Sequence, residues 1–350
     1  MVSMKKSVTL TLLLTSLLSL GGCIFQGRQA PAAALQQEMV IGFYNLENLF
    51  DTVHDPGKED QDFLPGGEYD WTQEKYEKKL GNMAHVIATM ARENGRYHAV
   101  LGVAEVENAR VLKDLVARPE IAEAGYRFVH FESPDDRGID VALLYRKDLV
   151  RVVESKAIKL DKRRTRSTLL VRAEIDGEDF AFFVAHLPSR RNDENVAWRR
   201  RGAEIIYKEA MRLQDKYPGI KIVVMGDMND NPPDPCMSVD LRGRKDPADV
   251  DRKSFFAPFW SLYDSGYGSE SYRSEWNLFD CILVNDALVH APDGSYAIQR
   301  IGDFWGEIYD PPFLTQQDGR YKGTPFRTFS RNEFTGGYSD HYPTFIRLGK

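Results

Sequence analysis

The sequence of 350 residues has few cysteines, few long apolar runs and no net positive charge. Its three cysteines form no Cys/His spacing of the kind that binds zinc. The apolar stretch at residues 8–20 is too short to span a bilayer as a helix. The formal net charge of −6 argues against a protein that wraps nucleic acid along a broad basic face, because such binding uses many lysines and arginines. A local basic patch stays compatible with this charge.

The N-terminus has the pattern of an export signal. Lys5 and Lys6 precede the apolar stretch, which has the length of a signal-peptide core. The stretch ends in "LGGC" (20–23), which resembles the lipobox of bacterial lipoproteins, where the cysteine is lipidated. We therefore predict a lipoprotein signal peptide at residues 1–23 and an extracytoplasmic protein anchored to a membrane through Cys23. Ile24 fits an outer-membrane destination. An ordinary secretory signal with a chance cysteine is the alternative.

A tether and one folded domain are predicted to follow the signal. Residues 24–38 form the tether, because "QGRQAPAAALQQE" (26–38) is small, polar and contains proline. Folding is expected to begin near Met39, which leaves one domain at residues 39–350. Cys236 and Cys281 are the cysteines of this domain, and two interpretations stay open for them: one disulfide, or two unpaired buried thiols.

Strand and helix patterns alternate through this domain without an internal repeat. Residues 72–93 and 192–217 have the apolar rhythm of long helices, and Thr72 is a capping residue for the first. Six short runs rich in β-branched and aromatic residues are predicted as strands with a buried face: 39–45, 98–105, 139–146, 180–186, 221–227 and 278–285. With 42% hydrophobic residues and no linker-like break, the pattern predicts one α/β domain whose sheets are covered by helices.

Polar residues recur where the predicted strands end. The segments are "YNLEN" (44–48), "AEVEN" (104–108), "AHLPS" (185–189), "GDMND" (226–230) and, near the end of the chain, "YSDHYP" (338–343). Each segment alone has an ordinary explanation, such as a turn, a core histidine or a solvated strand start. In α/β folds, however, such ends gather at one edge of the sheet. Their oxygen-rich side chains suit a hard cation such as Mg²⁺.

The ordered set of motifs resembles the endonuclease/exonuclease/phosphatase superfamily. The matching pieces, in the family's order, are "YNLEN", "AEVEN", "RGIDVALLYR", "AHLPS", "GDMND", "FDCILV" and "SDH". The resemblance spans nearly the whole domain. It implies a four-layer sandwich of two packed mixed β-sheets flanked by helices, and a metal-dependent phosphoesterase.

The resemblance implies a metal site that holds Mg²⁺ or Mn²⁺. Glu105 would be the principal carboxylate, with Asn45 beside it and Asp340 contributing directly or through water. Glu47 and Glu107 lie two residues from these presumed ligands. Strand alternation would place each on the same face, in a supporting role.

Catalytic roles follow from the same resemblance. Asp227 and Asn229 match the pair that positions and activates the attacking water. His341 matches the histidine that contacts the scissile phosphate, and Asp280 its carboxylate partner. Such pairing raises the pKa of a histidine and holds its tautomer.

His186 distinguishes branches of the family. It resembles the histidine of deoxyribonuclease, sphingomyelinase and phosphatase members, whereas apurinic endonucleases carry an asparagine there. A second histidine can protonate the leaving oxygen or hold a phosphate. Asp140 is a polar residue within an apolar strand, and our hypothesis is that it orients His186.

Basic residues near these motifs are predicted to bind the substrate. Arg166, Ser189 and Arg190 are the candidates, because arginine suits phosphate geometry. The predicted activity is Mg²⁺-dependent phosphodiester hydrolysis by a monomer, most simply an extracytoplasmic endonuclease acting on nucleic acid. The alternatives are a phospholipid or inositol-phosphate phosphoesterase, and a catalytically silent surface binding protein. Residues 292–335 are expected to shape substrate access.

Overall fold

The computed structural model describes residues 37–160, 163–190, 192, 194–273 and 275–350. The predicted signal peptide, Cys23 and nearly all of the tether lie outside these residues. No helix in the described ranges combines the length and the apolar character needed to cross a membrane.

The domain contains eighteen strands and five α-helices among its described residues. In chain order the strands are β1 (Glu38–Leu49), β2 (Val100–Val106), β3 (Tyr126–His130), β4 (Asp140–Arg146), β5 (Val150–Ile158), β6 (Thr168–Ile175), β7 (Glu178–His186), β8 (Lys221–Asp227), β9 (Gly243–Arg244), β10 (Phe255–Phe256), β11 (Glu270–Tyr272), β12 (Glu275–Asn277), β13 (Asp280–Asn285), β14 (Ala297–Gln299), β15 (Glu307–Ile308), β16 (Phe329–Ser330), β17 (Glu333–Phe334) and β18 (Thr344–Gly349). The helices are α1 (Gln73–Glu93), α2 (Ala109–Val116), α3 (Glu194–Lys216), α4 (Trp260–Asp264) and α5 (Asp286–Val289).

Two large mixed sheets carry the fold. The first has the order β14-β18-β1-β2-β4-β3, with β15 also paired to β18, and the second has the order β5-β6-β7-β8-β13-β10-β9. The pairs β1–β2 and β7–β8 are parallel, whereas β8–β13 and β1–β18 are antiparallel. The small hairpins β11–β12 and β16–β17 lie outside both sheets.

Strand β1 shows how the sequence builds the layers. Its alternating side chains separate into two buried clusters: Ile41 and Phe43 belong to the cluster that contains β7, β8 and α3, whereas Val40 and Tyr44 belong to the cluster that contains α1 and α2. A strand buried on both faces must lie between two layers. The layers therefore lie in the order α1 and α2, first sheet, second sheet and α3, which confirms the predicted four-layer sandwich.

The two predicted long helices are also present. Helix α1 begins after Thr72, whose side chain accepts a hydrogen bond from the Lys75 amide at 3.4 Å. Helix α3 lies within the second predicted segment, residues 192–217.

Cys236 and Cys281 are both buried and unpaired. Burial raises the pKa of each thiol well above its usual value, so both stay protonated. Of the two interpretations of these cysteines, the structure supports unpaired buried thiols.

His98 is a buried histidine that makes the stability of the fold depend on pH. Neither ring nitrogen has a hydrogen-bond partner among the described residues, and the ring packs edge-on against Phe345. Burial lowers the pKa of His98 from 6.5 to about 4. Between these values the unfolded chain binds a proton that the folded chain does not, so stability is lost as the pH falls from 6.5 toward 4.

We therefore expect His98 to cost about 3 kcal/mol of folding free energy on acidification from pH 7 to pH 4, at about 1.4 kcal/mol per pKa unit. His98→Leu, of similar volume, should remove this part of the pH dependence. Urea unfolding of both proteins at several pH values measures it. If the free energy of unfolding changes with pH by the same amount in both proteins, His98 does not have the depressed pKa.

Candidate active site

The carboxyl ends of parallel strands bring the predicted catalytic residues together. In the β7–β8 pair His186 lies opposite Asp227, and in the β8–β13 pair Asp227 lies opposite Asp280. The glycine before Asp227 allows this close approach: a Cβ at Gly226 would lie 2.1 Å from the Ala185 carbonyl oxygen. The sequence order "GD" thus places the carboxylate directly after the residue at which β8 has no room for a side chain against β7.

The His341–Asp280 pair predicted from the sequence is present. Nδ1 of His341 lies 2.7 Å from Oδ2 of Asp280, and the Ser269 hydroxyl donates to the same oxygen at 2.5 Å. The segment that carries His341 is tied to β1, because the Ser339 hydroxyl donates to the Asn45 carbonyl at 2.7 Å and accepts from the His341 amide at 3.1 Å. These contacts fix the position of the ring.

Asp227 lies at the centre of the site. Its Oδ2 accepts from the side-chain Nδ2 of Asn45 at 3.1 Å and lies 3.5 Å from Nε2 of His186 and 3.9 Å from Nε2 of His341. Its Oδ1 accepts from the backbone amide of Asn229 at 3.0 Å. Because the Asn229 side-chain amide donates to the Leu187 carbonyl at 3.0 Å, its oxygen stays available to the cleft. Two histidines and one carboxylate thus converge on one point.

The predicted metal carboxylates lie at the same point. Glu105 accepts from the Asn48 amide at 2.9 Å, and its other oxygen lies 3.9 Å from Nε2 of His186. Oδ1 of Asp340 lies 3.8 Å from Nε2 of His341. Both carboxylates line one cleft of about 690 Å³, together with Asp227 and His341. Residues separated by more than 230 positions in the chain therefore share one site.

Strained backbone positions these groups. Glu105 and Asn229 have φ values of 59° and 51°, and Glu47 and Asn48 have 46° and 52°. Such left-handed conformations are costly for residues other than glycine and cluster at functional sites. The register also shifts at the ends of β1 and β2.

These irregularities overturn the alternation expected for two glutamates. Glu47 accepts from the Thr328 amide at 2.6 Å, and Glu107 accepts from the Asp51 amide at 2.7 Å. Neither lines the cleft that contains Glu105. Both instead hold neighbouring backbone, and burial raises the pKa of Glu107 to about 8.

The donor set fits a hard divalent cation. Glu105 and Asp340 offer carboxylate oxygens to the cleft, whereas Asn45 is buried and does not line it: its side chain donates to Asp227 and accepts from the Glu47 amide at 3.0 Å. A different group at the site, Asp227, Asp280 and His341, has ligand atoms that lie within 4.8 Å of one another. His341 and Asp280 of this group are already bonded to each other, whereas Glu105 and Asp340, the ligands predicted from the sequence, have carboxylates that line the cleft.

Burial and neighbouring charges give His186 and His341 different protonation states. Burial opposes protonation of His341, but the charge and hydrogen bond of Asp280 outweigh it and hold its pKa well above the usual value. Burial lowers the pKa of His186 well below its usual value, and Arg166 and Arg137 add to this effect. The site therefore presents one charged and one neutral imidazole. Burial also raises the pKa of Asp227, with Asp280 adding to the rise and His341 opposing it.

Asp140 does not orient His186, contrary to our hypothesis. Its Oδ2 lies 2.9 Å from Nε2 of His130, and its Oδ1 accepts from the Ser133 amide at 2.9 Å. Nδ1 of His186 is buried without a partner in the described ranges. The side chain of Asp140, at the start of β4, is therefore bonded to the neighbouring strand β3 and to the loop that follows β3.

The three predicted substrate-binding residues, Arg166, Ser189 and Arg190, all line the cleft. The two arginines also hold its loops: Arg166 donates to the Leu187 carbonyl at 3.0 Å, and Arg190 donates to the Asn229 carbonyl at 2.9 Å. Arg190 also lies over the Phe279 ring, 4.7 Å from its centre.

Several other residues of the cleft were not predicted. Arg137 lines it beside His186, and Arg327 donates to Asp340 at 2.6 Å. Tyr272 and Arg273 reach the cleft from the β11–β12 hairpin, and Tyr272 remains 60% exposed. Arg137 comes directly before the "GID" that opens β4, which is a signal that sequence analysis can use. Tyr272 and Arg273 lie in a short hairpin and Arg327 in an irregular segment, and none of the three has such a signal.

Comparisons with known proteins identify the family and the fold. The profile of the Endonuclease/Exonuclease/phosphatase family matches residues 40–350. A search of curated proteins found no match to the sequence.

Solved structures show the same fold at low identity. TDP2 of D. rerio, humanized by 14 mutations, has a TM-score of 0.55 and 13% identity, covering 89% of this chain and 99% of that one. D. rerio TDP2 in complex with a single-strand DNA product has a TM-score of 0.53 and 14% identity over 89% and 99% of the two chains. The mannosyl-6-phosphatase Bt3783 of Bacteroides thetaiotaomicron has a TM-score of 0.54 and 16% identity over 89% and 100%. With the family profile matched over nearly the whole domain, the chain belongs to the endonuclease/exonuclease/phosphatase family and is a metal-dependent phosphoesterase.

Proposed function

We propose that the protein is a Mg²⁺- or Mn²⁺-dependent phosphodiesterase that cleaves nucleic acid outside the cytoplasm. The observation that carries the proposal is the convergence of His186 and His341 on Asp227, at 3.5 and 3.9 Å, beside two carboxylates. Arginines and the exposed ring of Tyr272 line the same cleft. Cationic groups with an aromatic surface suit a phosphodiester that carries bases.

The side chains divide the reaction among them. Asp227, when ionised, accepts a proton from the attacking water, and Asn229 orients that water. His341, held protonated by Asp280, donates to a phosphate oxygen as negative charge develops. Because the pKa of His186 is low, its neutral ring holds the leaving oxygen by a hydrogen bond and does not protonate it. When bound by Glu105 and Asp340, with Asn45 beside them, a divalent cation would neutralise phosphate charge and stabilise the leaving oxygen.

A substrate panel tests the proposal. The full-length protein, solubilised in detergent, is incubated with Mg²⁺ or Mn²⁺ and with DNA, RNA, sphingomyelin, inositol polyphosphates, a sugar phosphate or bis-p-nitrophenyl phosphate, with EDTA as control. Cleavage of nucleic acid supports the proposal. Turnover of a lipid, inositol phosphate or sugar phosphate without cleavage of nucleic acid would overturn it in favour of another phosphoesterase. Inactivity on every substrate would favour a silent binding protein.

The cellular location is part of the same proposal. The "LGGC" segment supports anchoring through a lipidated Cys23 in the outer membrane. The mass of the mature N-terminus measures the modification, and Cys23→Ser should prevent it. An unmodified Cys23 in the mature protein would contradict the anchor.

A further inference from the structure

A second groove adjoins the catalytic cleft. It has a volume of about 870 Å³, larger than the cleft's 690 Å³, and Arg327 lines both. The groove is formed by the segment from Gln316 to Thr335, part of the region whose sequence predicted a role in substrate access. Its size lies within the range of pockets that bind ligands.

The charges of the groove face solvent. Arg320 and Arg331 line it and are exposed, and neither forms an ion pair within the described part of the chain. Arg320 lies over the Tyr321 ring, 5.8 Å from its centre. Asp318 and Glu333 also line the groove and are exposed. The two arginines are thus free to bind an anion, while the acids limit how tightly it is held.

Aromatic side chains and a fixed backbone form the rest of the surface. Tyr321 and Phe326 line the groove and are half-buried. The Phe326 amide donates to the Leu314 carbonyl at 2.7 Å, and its carbonyl accepts from the Tyr338 amide at 2.6 Å. Arg331 lies in the turn of the β16–β17 hairpin with φ 58°. The surface is therefore held by hydrogen-bonded backbone on both sides.

We propose that this groove binds the nucleotides next to the scissile phosphate in a single-stranded nucleic acid. The inference rests on the proposed function and names its substrate more closely. Arg320 and Arg331 bind backbone phosphates, and the rings of Tyr321 and Phe326 contact bases, which a single strand leaves unpaired. A lipid chain would need a mostly apolar groove, whereas charged and amide side chains make up much of this one.

The test compares a long and a short substrate of the same chemistry. Wild type and the double variant Arg320→Gln/Arg331→Gln are assayed on a 12-nucleotide oligothymidylate and on bis-p-nitrophenyl phosphate, which is too small to reach the groove. We expect the variant to lose about tenfold or more in kcat/KM on the oligonucleotide, mainly through KM, because charged hydrogen bonds are lost. Its activity on bis-p-nitrophenyl phosphate should not change. The slope of log KM against log salt should fall by about 1.4, since two phosphate contacts are removed from a single strand.

Matched variants separate this effect from a general loss of charge. Arg151→Gln/Arg252→Gln removes two exposed arginines that form ion pairs elsewhere, with Glu174 and Asp215, and should leave both activities unchanged. Glu333→Gln removes a negative charge from the groove and should lower KM for the oligonucleotide.

The outcomes distinguish a failure of the groove inference from a failure of the proposed function. If wild type cleaves both substrates and the groove variant is unchanged on the oligonucleotide, the groove inference is wrong and the phosphodiesterase stands. An equal loss on both substrates would also overturn the groove. If wild type cleaves neither substrate, the proposed function fails. The groove is then judged by fluorescence anisotropy of the labelled oligonucleotide in EDTA, where equal binding by wild type and variant would contradict it.

Discussion

Replacing Asp227 with asparagine is expected to lower kcat on a phosphodiester by about 10²- to 10⁴-fold, the range that a positioned general base contributes. Asparagine has nearly the same volume and can still accept from the Asn229 amide, but it cannot take a proton from water. KM should change much less than kcat, because the phosphate-binding residues remain. Initial rates over a range of substrate concentrations at fixed Mg²⁺ measure both parameters.

A second carboxylate provides the control for this substitution. Asp240 is also buried and accepts from Arg200 at 2.7 and 3.1 Å, but it does not line the cleft. Asp240→Asn should lower the melting temperature through its weakened ion pair while kcat stays near wild type. An Asp227→Asn protein that is folded and retains wild-type kcat would exclude Asp227 as the base.

Replacing Glu105 with glutamine is expected to raise the metal concentration needed for half-maximal activity by at least about 100-fold. Even residues that only support a metal ligand change affinity by about 10- to 100-fold, and we propose Glu105 as a direct ligand. Removing its charge weakens the attraction for a divalent cation, which strongly prefers carboxylate oxygen. Activity titrated with Mg²⁺ and binding titrated with Mn²⁺ measure the change independently of each other.

Glu107 is the matched control for Glu105, because it lies two residues further on the same segment. Its carboxyl group accepts from the Asp51 amide outside the cleft, and with a pKa of about 8 it is mostly protonated at neutral pH. Glu107→Gln should therefore leave the metal requirement unchanged. Equal metal requirements for Glu105→Gln and wild type would remove Glu105 from the metal site.

Regular structure is what the sequence predicts well in this protein. Apolar runs and the amphipathic pattern of α1 follow directly from burial, so six of the eighteen strands and the two long helices were predicted from the residues, whereas the four layers were implied by the family resemblance. The parallel pair β7–β8 then places His186 beside Asp227, because equivalent strand ends lie at one edge. The positions of these two residues thus follow from the order of strands.

Irregular backbone is where sequence reasoning fails. The left-handed conformations of Glu47 and Glu105 break the period-two alternation, so the direction of neighbouring side chains could not be read from spacing. Asp140 was predicted to contact His186 from its position in an apolar strand, yet the competing partners His130 and Ser133 are closer. The buried carboxylate of Asp140 is hydrogen-bonded to these nearby residues and not to His186.

Contacts over long separations carry no local signal at all. Arg327 reaches Asp340 from a segment without regular structure, and Lys79, buried in α1, donates to Thr328 and Tyr338. These bonds fix the segment that forms the second groove. Only the packed chain shows that the groove and the cleft share Arg327.

The most direct test of the account is the anomalous scattering of Mn²⁺ in crystals of the protein. The account predicts one strong peak in the cleft, within coordination distance of Glu105 and Asp340 and next to Asp227. Two other groups of potential ligands are available for comparison: Asp227 with Asp280 and His341, and His130 with Glu132 and Asp140. A peak bound by either of these groups, with none at Glu105, would contradict the proposed metal centre and the chemistry that depends on it.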